Sequence, residues 1–364
     1  MQWFHIDDMP HFESNYSKGG IIYFETLNVS GIHGHSVIFV DFDDTLFKGN
    51  GKKFAGTLPI PKDDVIDAVA RFSNDNEVFV YIVTNQKWNV DIDQIKLRLE
   101  NGAKYLQKYN FPLVGIYAAI GNDFYRKPYP GILHKILKEF KADKIMVIGD
   151  AAGRLNDHSC CDRKLAYNIK SDFLTPENFI RFFNNEPLIE EDFSWGNISP
   201  KYIEEHLIKN SGLPACVPPT KQEIIIIVGL PGSGKTYLAK TLEKFNYKRI
   251  SSDDFKSNST KIMTKLNEIH NTYPQASIVL DAVHGTKESR ICYIDWAHVH
   301  KLSSRILFIP DEQYWAYHKM ICRTILGGSY VPQVAYRTLK IVPPTEDEGT
   351  DSIEYIKGTI DVDN

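Results

Sequence analysis

Short apolar runs alternate with helix-like stretches along the first half of the chain. The apolar runs are rich in β-branched residues and occupy residues 37–40, 78–83 and 144–148. Such runs predict strands that are buried on both faces of a parallel sheet. Apolar residues with helical spacing predict helices at residues 60–72, 91–109 and 130–140.

The same alternation starts again at Glu223, after a poorly patterned, proline-containing stretch at residues 184–220. It predicts strands at residues 224–228, 248–251, 277–281 and 304–310, and helices at residues 236–245, 261–272 and 287–300. We therefore predict an α/β protein with two domains, at residues 1–187 and 221–345. Residues 188–220 are expected to be a linker with a short helix near residues 200–209, and residues 346–364 a weakly ordered acidic tail.

Composition bears on the cellular compartment and on the kinds of partner that can be expected. No apolar stretch approaches the roughly 20 residues that a membrane span needs, and the N-terminal residues lack the plan of a secretion or transit signal. The five cysteines are an odd number without a Cys-x-x-Cys pair, which favours a reducing compartment and disfavours a disulfide framework or zinc cluster. The formal net charge of −4 neither supports nor excludes a nucleic-acid partner, because a local groove can supply the attraction.

Each predicted strand of the first half ends in a polar cluster. Asp41-Phe42-Asp43 follows the first strand, Thr84-Asn85-Gln86 ends the second, and Gly149-Asp150 follows the third. The carboxyl ends of neighbouring parallel strands meet at one crevice, where α/β proteins bind their ligands. We therefore expect these side chains to converge.

The converging residues are of the types that phosphoryl-group removal needs. Asp41 is the candidate nucleophile, which would form an aspartyl-phosphate, and Asp43 is the candidate acid and base. Repulsion between a carboxylate and a phosphate implies Mg²⁺, held by Asp41 and Asp150 with Asp43 as a further candidate ligand. An isolated Asp-x-Asp is usually a solvated turn, so the prediction depends on the whole ordered set. Its remaining members offer donors or positive charge to the phosphate: Thr84, Asn85, Arg126 and Lys127.

A complete nucleotide-binding motif opens the second half. The sequence Gly-x-x-x-x-Gly-Lys-Thr lies between a predicted strand and a predicted helix, which is the context the motif requires. Its glycines let backbone N–H groups approach the phosphates of ATP, the lysine reaches the β and γ oxygens, and the threonine hydroxyl contacts Mg²⁺. The residues concerned are Gly229, Gly232, Ser233, Gly234, Lys235 and Thr236.

Three further residues are candidates for the transfer of the terminal phosphate. Asp253 or its neighbour Asp254 could accept the proton of an attacking hydroxyl. Asp281 ends a predicted strand and suits either a Mg²⁺ contact or a substrate contact. Arg323 lies in a predicted helix ahead of Gly327-Gly328 and could stabilise charge on the transferred phosphate. A helix cap for each aspartate and a solvated position for the arginine are the alternatives.

Several stretches resemble one enzyme family. The order Asp41/Asp43, Thr84, Lys127, Asp150 is similar to the four motifs of haloacid dehalogenase-type phosphatases. More narrowly, residues 84–86, 125–128, 149–154, 157–166 and 175–177 resemble the phosphatase half of polynucleotide kinase/3′-phosphatases, and the nucleotide motif follows in the order found in animal-type members. The resemblance spans residues 37–345 and is most specific between residues 120 and 180.

The resemblance implies a Rossmann-like phosphatase domain followed by a P-loop polynucleotide 5′-kinase domain with a parallel sheet. The enzyme would remove 3′-phosphates and phosphorylate 5′-hydroxyl ends with Mg²⁺ and ATP, leaving ends that a ligase can join in DNA strand-break repair. DNA is expected over RNA. We expect a monomer without membrane association, in the nucleus or else the cytoplasm.

For individual residues, the resemblance implies Asp253 as the general base, Asp281 as the strand-end acid and Arg323 as a lid arginine. It places Asp157 and Asp162 at supporting acidic positions of the phosphatase.

Some positions depart from the family pattern. Asp44 stands where glycine is frequent, Ser251-Ser252 precedes Asp253 in place of Asn-Arg, Ala282-Val283-His284 replaces x-Thr-Asn, and Ile321 lies nearest to the place of a second lid arginine. The residues ahead of Asp41 are too few for a forkhead-associated domain. Three alternatives therefore stay open: a fusion acting on small molecules or RNA ends, a 3′-phosphatase with an impaired kinase half, and a nucleotide-gated regulator in which one or both sites are inactive.

Overall fold

The fold is described here from a computed structural model, and the chain divides into two compact units. The first is made mainly of Met1–Ser199, and the second of Pro200–Gly327 with Gln333–Asn364. No helix in the described part of the chain is both long and apolar enough to cross a membrane. The structure describes residues 2–6, 20–27, 33–49, 59–86, 91–121, 123–139, 141–195, 221–255, 257–311, 313–325, 331 and 333–356.

A mixed sheet forms the centre of the first unit. Its strands run in the spatial order β1-β2-β7-β6-β3-β8-β9, in which β2 is antiparallel to both of its neighbours, β1 and β7, and the other four pairs are parallel. The strands are β1 (Phe4–Ile6), β2 (Ile21–Glu25), β3 (His33–Val40), β6 (Phe79–Asn85), β7 (Leu113–Ala119), β8 (Lys141–Ile148) and β9 (Asp172–Leu174), and a small hairpin pairs β4 (Phe47–Lys48) with β5 (Ile60–Pro61). The predicted strands β3, β6 and β8 are thus confirmed as central neighbours.

Helices cover both faces of this sheet. Successive residues of β3 alternate between two apolar cores, Ile38 and Val40 on one face and Val37 and Phe39 on the other, so both faces are buried. The helices of this unit are Asp63–Asp75, Ile92–Leu106, Gly131–Glu139, Cys161–Asn168 and Pro176–Phe183. The helices predicted near residues 60–72, 91–109 and 130–140 are confirmed.

The packed chain of the first unit continues beyond the predicted boundary at residue 187. Glu191 accepts hydrogen bonds from Thr175 (2.9 Å) and Arg154 (3.2 Å) and also pairs with Arg163, and Trp195 is buried. Residues 188–195 therefore pack against this unit, contrary to their assignment to a linker. That assignment was based on the lack of apolar periodicity, whereas hydrogen bonds and ion pairs hold this segment in place. The short helix predicted near residues 200–209 lies outside the described residues.

A parallel sheet of five strands forms the centre of the second unit. Its order is β11-β12-β10-β13-β14, and the central strand β10 is buried along its whole length. The strands are β10 (Glu223–Gly229), β11 (Tyr247–Ser251), β12 (Ser277–Asp281), β13 (Ser303–Ile309) and β14 (Ser352–Tyr355). The helices are Lys235–Glu243, Ser259–Thr272, Lys287–Val299, Gln313–Ile325 and Gln333–Thr338. The α/β class predicted for both domains is confirmed.

The prediction of a weakly ordered acidic tail is wrong for residues 346–356. β14 joins the sheet in parallel register beside β13, with Arg305 opposite Ser352. Ahead of β14, Glu348 forms a bidentate ion pair with Arg290, and both side chains are almost fully excluded from solvent. The acidic composition suggested disorder. The segment is ordered because Glu348 pairs with the buried Arg290 and because β14 pairs with the edge of β13. Residues 357–364 lie outside the described part of the chain.

Replacing Glu348 should destabilise the second unit strongly. Glu348→Ala leaves the Arg290 guanidinium buried without its counter-ion, which typically costs about 3–5 kcal/mol of unfolding free energy. Glu354→Ala is the matched control, because Glu354 also pairs with an arginine (Arg305, 2.9 Å) but its side chain is 44% exposed. Urea unfolding followed by tryptophan fluorescence measures both variants. Equal losses in the two would contradict the structural role given to Arg290 and Glu348.

Candidate active sites

Three carboxylates meet at the carboxyl edge of the first sheet. Val40 of β3 lies opposite Ile82 of β6 and Ile148 of β8, so β3 and β8 end level with one another, and β6 continues to Asn85. Asp41 and Asp150 follow two of these strand ends, and Asp162 lies in the first turn of the helix Cys161–Asn168. One carboxylate oxygen from each of these three aspartates lies within 4.8 Å of the others.

Lys127 is the cation of this cluster. Its Nζ atom donates to Asp41 Oδ1 at 2.6 Å and to the carbonyl oxygen of Val83 at 2.8 Å, and pairs with Asp162 Oδ1 at 2.7 Å. Asn85 fixes the backbone of Lys127, since its side-chain amide donates to the Lys127 carbonyl (3.0 Å) and accepts from the Lys127 N–H (2.9 Å). Asn85 was predicted to contact the substrate, but the geometry fits a role in holding Lys127.

Asp43 is turned to a different set of partners. Gln86 Nε2 donates to Asp43 Oδ2 at 2.9 Å and to Thr84 Oγ1 at 2.9 Å, and Arg98 pairs with the other Asp43 oxygen. Asp43 lies outside the group of three carboxylates described above, and its role as a metal ligand stays a prediction. Asp162, assigned only a supporting position from the sequence, is the carboxylate that joins Asp41 and Asp150.

The predicted residues Arg126 and Asp157 lie around this edge, together with Thr45, for which no role was predicted. Arg126 donates to the carbonyl oxygen of Gln86 at 2.8 Å. Thr45 Oγ1 donates to Asp150 Oδ1 at 3.1 Å and accepts from the Asp150 N–H at 3.0 Å. The Asp157 carboxylate accepts backbone N–H groups of Ala152 and Arg154, so it shapes the loop after Asp150 instead of joining the cluster.

The cluster carries more negative than positive charge. Burial raises the pKa of Asp41 well above its ordinary value, and the charges of Asp162 and Asp150 add to this while Lys127 opposes it. Burial, followed by the charge of Asp162, raises the pKa of Asp150 to about 6. Burial alone would lower the pKa of Lys127, but Asp162 and Asp41 raise it above its usual range. The arrangement therefore favours a further cation beside Asp41 and Asp150.

A magnesium ion fits this site. Carboxylate oxygens are the ligands that Mg²⁺ prefers, and the clustered, desolvated carboxylates of Asp41 and Asp150 repel each other unless a cation or a proton is bound. These two residues would hold the ion, with Asp162 fixed beside them by Lys127.

Mg²⁺ should therefore raise the thermal unfolding midpoint of the first unit. Binding to the native state alone adds about 2.7 kcal/mol of stability at 100 times the dissociation constant. We expect Asp150→Asn to abolish this gain, and in EDTA to be no less stable than the unmodified protein, because it removes a buried repelling charge. Asp172→Asn is the matched control, since Asp172 is exposed at the neighbouring strand β9. Differential scanning calorimetry measures the rise of the unfolding midpoint with Mg²⁺. A rise in Asp150→Asn as large as in the control would exclude Asp150 as a ligand.

The nucleotide loop has the backbone that its sequence predicts. Gly232 and Gly234 have φ values of +80° and +99°, which favour glycine. A Cβ atom on Gly232 would lie 2.2 Å from the carbonyl oxygen of Ala316, so the loop packs directly on the helix Gln313–Ile325. Within the described residues, the buried hydroxyl of Ser233 makes no hydrogen bond. These features fit a loop that receives phosphate oxygens.

Lys235 opens the helix after this loop and is buried. Its Nζ atom donates to the carbonyl oxygen of Leu230 at 2.7 Å. Burial lowers the pKa of Lys235 to about 8, Asp281 and Asp253 oppose this, and Arg323 adds to it. The charges of Asp281, Arg323 and Asp253 therefore act on Lys235, and the roles of these three residues in phosphoryl transfer stay predictions. Asp253 and Arg323 are themselves exposed.

Asp281 links the loop to the neighbouring strand. Its Oδ1 atom lies 3.4 Å from the Thr236 hydroxyl, and its Oδ2 atom accepts a hydrogen bond from Arg249 Nη2 at 2.6 Å. Both oxygens therefore face protein groups, and the geometry fits an acid that orients Thr236 better than one that binds the accepting substrate. His284, which replaces an asparagine of the family pattern, uses Nδ1 to bond the carbonyl oxygen of Ile227 at 2.9 Å. Burial lowers the pKa of His284 to about 4, so its ring is neutral.

Sequence reasoning missed the partners of the predicted residues. Gln86 had no role, and Arg98 and Arg249 were not considered. A signal for Arg98 existed, because it lies among the buried positions Ile95, Leu99 and Gly102 of an amphipathic helix, where a charged side chain usually has a partner. Arg249 in β11 gave no comparable signal.

The chain is similar to proteins that are named for polynucleotide phosphatase and kinase activities. The chain is 31% identical over 260 residues to the bifunctional polynucleotide phosphatase/kinase of Schizosaccharomyces pombe, covering 69% of this chain and 61% of that protein, which is less than two thirds of the relative's length. It is 27% identical over 362 residues to an Acanthamoeba polyphaga mimivirus protein to which the same two activities are assigned provisionally, covering 79% and 84%. It is 41% identical over 64 residues to polynucleotide 3′-phosphatase ZDP of Arabidopsis thaliana, covering 16% and 9%.

Residues 36–180 match the family model described as polynucleotide kinase 3 phosphatase, and these residues contain all three clustered aspartates together with Lys127. The resemblance read from the motifs is confirmed, and residues 36–180 are similar to the polynucleotide kinase 3 phosphatase family.

Proposed function

We propose that this chain is a bifunctional nucleic-acid end-healing enzyme. Its first unit removes 3′-phosphates, and its second unit phosphorylates 5′-hydroxyl ends with ATP. The observation that carries the proposal is the meeting of Asp41, Asp150 and Lys127 at one sheet edge, within residues that match a polynucleotide phosphatase family, on a chain that also holds a complete triphosphate loop.

In the phosphatase reaction, Asp41 attacks phosphorus and the bond from phosphorus to the 3′ oxygen breaks, which gives an aspartyl-phosphate. Asp43 donates a proton to the leaving oxygen. The ionised Asp43 then takes a proton from water as water attacks the aspartyl-phosphate, releasing inorganic phosphate and restoring Asp41. Lys127 compensates the charge of Asp41 at 2.6 Å and fixes its orientation. Mg²⁺, when bound, screens the negative charge that the two reactants bring together.

In the kinase reaction, backbone N–H groups of the glycine loop and the Lys235 ammonium bind the triphosphate. Thr236 contributes its hydroxyl to a Mg²⁺ site, with Asp281 beside it at 3.4 Å. Asp253 accepts the proton of the 5′-hydroxyl as that oxygen attacks the terminal phosphate. Arg323 stabilises the charge that develops on the transferred group. The exposure of Asp253 and Arg323 suits residues that meet a polynucleotide end.

We further propose DNA ends as the preferred substrate and strand-break repair, ahead of a ligase, as the setting. Intracellular action, in the nucleus first, and a monomeric state belong to the same proposal. The support is the polynucleotide activity in the names of the relatives together with the motif resemblance. A 3′-phosphatase with an impaired kinase half is the second candidate, because Ser251-Ser252, Ala282-Val283 and Ile321 depart from the kinase pattern and Ile321 is buried.

One assay separates these possibilities. Purified protein is incubated with Mg²⁺, ATP and matched DNA or RNA oligonucleotides that carry a 3′-phosphate or a 5′-hydroxyl, and each end is scored by electrophoresis. We expect both conversions, faster on DNA. Loss of 3′-phosphate without 5′ phosphorylation would favour the second candidate. Turnover of small phosphomonoesters with neither oligonucleotide conversion would overturn the proposal.

A further inference from the structure

Both carboxylate oxygens of Asp43 are held by side chains from outside its own loop. Gln86 Nε2 donates to Oδ2 at 2.9 Å, and Arg98 Nη2 pairs with Oδ1. The Arg98 side chain is 3% exposed, whereas that of Asp43 is 27% exposed. The carboxylate is thus open to a reactant on one side and fixed from the buried side.

Close packing of the helix Ile92–Leu106 against the loop that carries Asp43 brings Arg98 to this position. Gly102 lies one helical turn after Arg98, and a Cβ atom there would lie 2.6 Å from the Phe42 ring. The absence of a side chain at Gly102 lets the helix Ile92–Leu106 approach the loop that carries Asp43. The Arg98 guanidinium then lies over the Phe42 ring, 5.0 Å from its centroid. The backbone around Asp43 and the cation that holds its side chain are therefore one packed unit.

The two aspartates of the motif have different counter-ions. Lys127 pairs with Asp41 and with Asp162, and Arg98 pairs with Asp43. Loss of Arg98 should therefore disturb Asp43 and leave the cluster of Asp41, Asp150 and Asp162 in place. This separation makes a role of Arg98 testable apart from nucleophile and metal binding.

We propose that Arg98, with Gln86, is a positioning residue that holds the Asp43 carboxylate for both of its proton transfers. The proposal rests on the proposed function, in which Asp43 first protonates the leaving oxygen and then accepts a proton from water. Both transfers need the same carboxylate within hydrogen-bond reach of the reacting oxygen. Arg98 compensates the ionised Asp43 left by the first transfer, so the side chain can stay in place beside the phosphate for the second.

The leaving group reveals this role. p-Nitrophenolate departs without needing a proton, whereas a sugar 3′ oxygen needs one, and kcat/KM reports only the steps through aspartyl-phosphate formation. We expect Arg98→Gln to lower kcat/KM for a 3′-phosphate oligonucleotide about 10²-fold, in the range of general acid catalysis, and to lower kcat/KM for p-nitrophenyl phosphate much less. Arg98→Lys should recover part of the loss. Arg71→Gln, in an exposed ion pair of the same unit, should leave kcat/KM unchanged for both substrates.

A double-mutant cycle with Asp43→Asn completes the test. If Arg98 acts through Asp43, then Arg98→Gln has no further effect on the 3′-phosphate substrate in the Asp43→Asn background. The inference would be overturned if the losses in kcat/KM from Arg98→Gln and Asp43→Asn multiplied in the double variant. It would also be overturned if Arg98→Gln lowered kcat/KM equally for both substrates. Either result would leave the proposed function intact. Full 3′-phosphatase activity in Asp43→Asn alone would instead overturn the proposed role of Asp43. Should Arg98→Gln fail to fold, Gln86→Met must show the same substrate difference, and equal losses there would also overturn the inference.

Discussion

Asp41→Asn should abolish removal of 3′-phosphates and leave phosphorylation of 5′-hydroxyl ends within about twofold. An amide in place of the carboxylate is a poor nucleophile, and loss of a nucleophile costs at least about 10³-fold in kcat. The substitution keeps the size of the side chain at a buried position that contacts Lys127. Labelled oligonucleotides carrying either end measure the two rates on the same preparation.

A matched control shows that the loss is chemical. Asp172→Asn changes an exposed carboxylate on the outer strand β9 and should leave both rates unchanged. The unmodified enzyme, quenched in acid during turnover of a substrate with a labelled phosphate, should retain label on the protein, and Asp41→Asn should not. Normal 3′-phosphatase activity in Asp41→Asn would sink the assignment of the nucleophile.

Lys235→Ala should give the reverse result, with kinase activity lowered and phosphatase activity kept. Lys235 lies buried at the start of the helix after the glycine loop, where its ammonium would meet the triphosphate. Removing one such charge-stabilising group typically costs about 10²–10³-fold in kcat. The measurement is transfer of the γ-phosphate from labelled ATP to a 5′-hydroxyl oligonucleotide.

Lys240→Ala is the matched control, because Lys240 lies exposed on the same helix. It should retain both activities. If Lys235→Ala also stopped removal of 3′-phosphates, the two sites would not act independently, and a nucleotide-gated regulator would explain the chain better than a two-activity enzyme. If Lys235→Ala and the unmodified protein phosphorylated 5′ ends equally, the loop would not be the nucleotide site.

The α/β class and the two regions proposed to bind phosphate could be predicted from local sequence patterns. Short β-branched runs that end in polar clusters are typical of strands buried on both faces of a parallel sheet, so the central strands β3, β6 and β8 could be recognised locally. Polar residues directly after such strands must lie at one sheet edge, which placed Asp41 and Asp150 together. The glycine loop was also local information, because its backbone needs φ values that only glycine adopts easily.

The partners of the charged residues, in contrast, follow from the folded chain and could not be read from the sequence. Asp162 joins Asp41 through a helix that begins far along the chain, and the side-chain amide of Asn85 hydrogen-bonds the backbone of Lys127. Glu348 orders an acidic segment because Arg290 lies buried to receive it. Arg98 reaches Asp43 because Gly102 lets its helix approach Phe42. Such pairings depend on strand register, helix rotation and burial, which are set by contacts between residues distant in sequence and leave no periodic pattern in the chain.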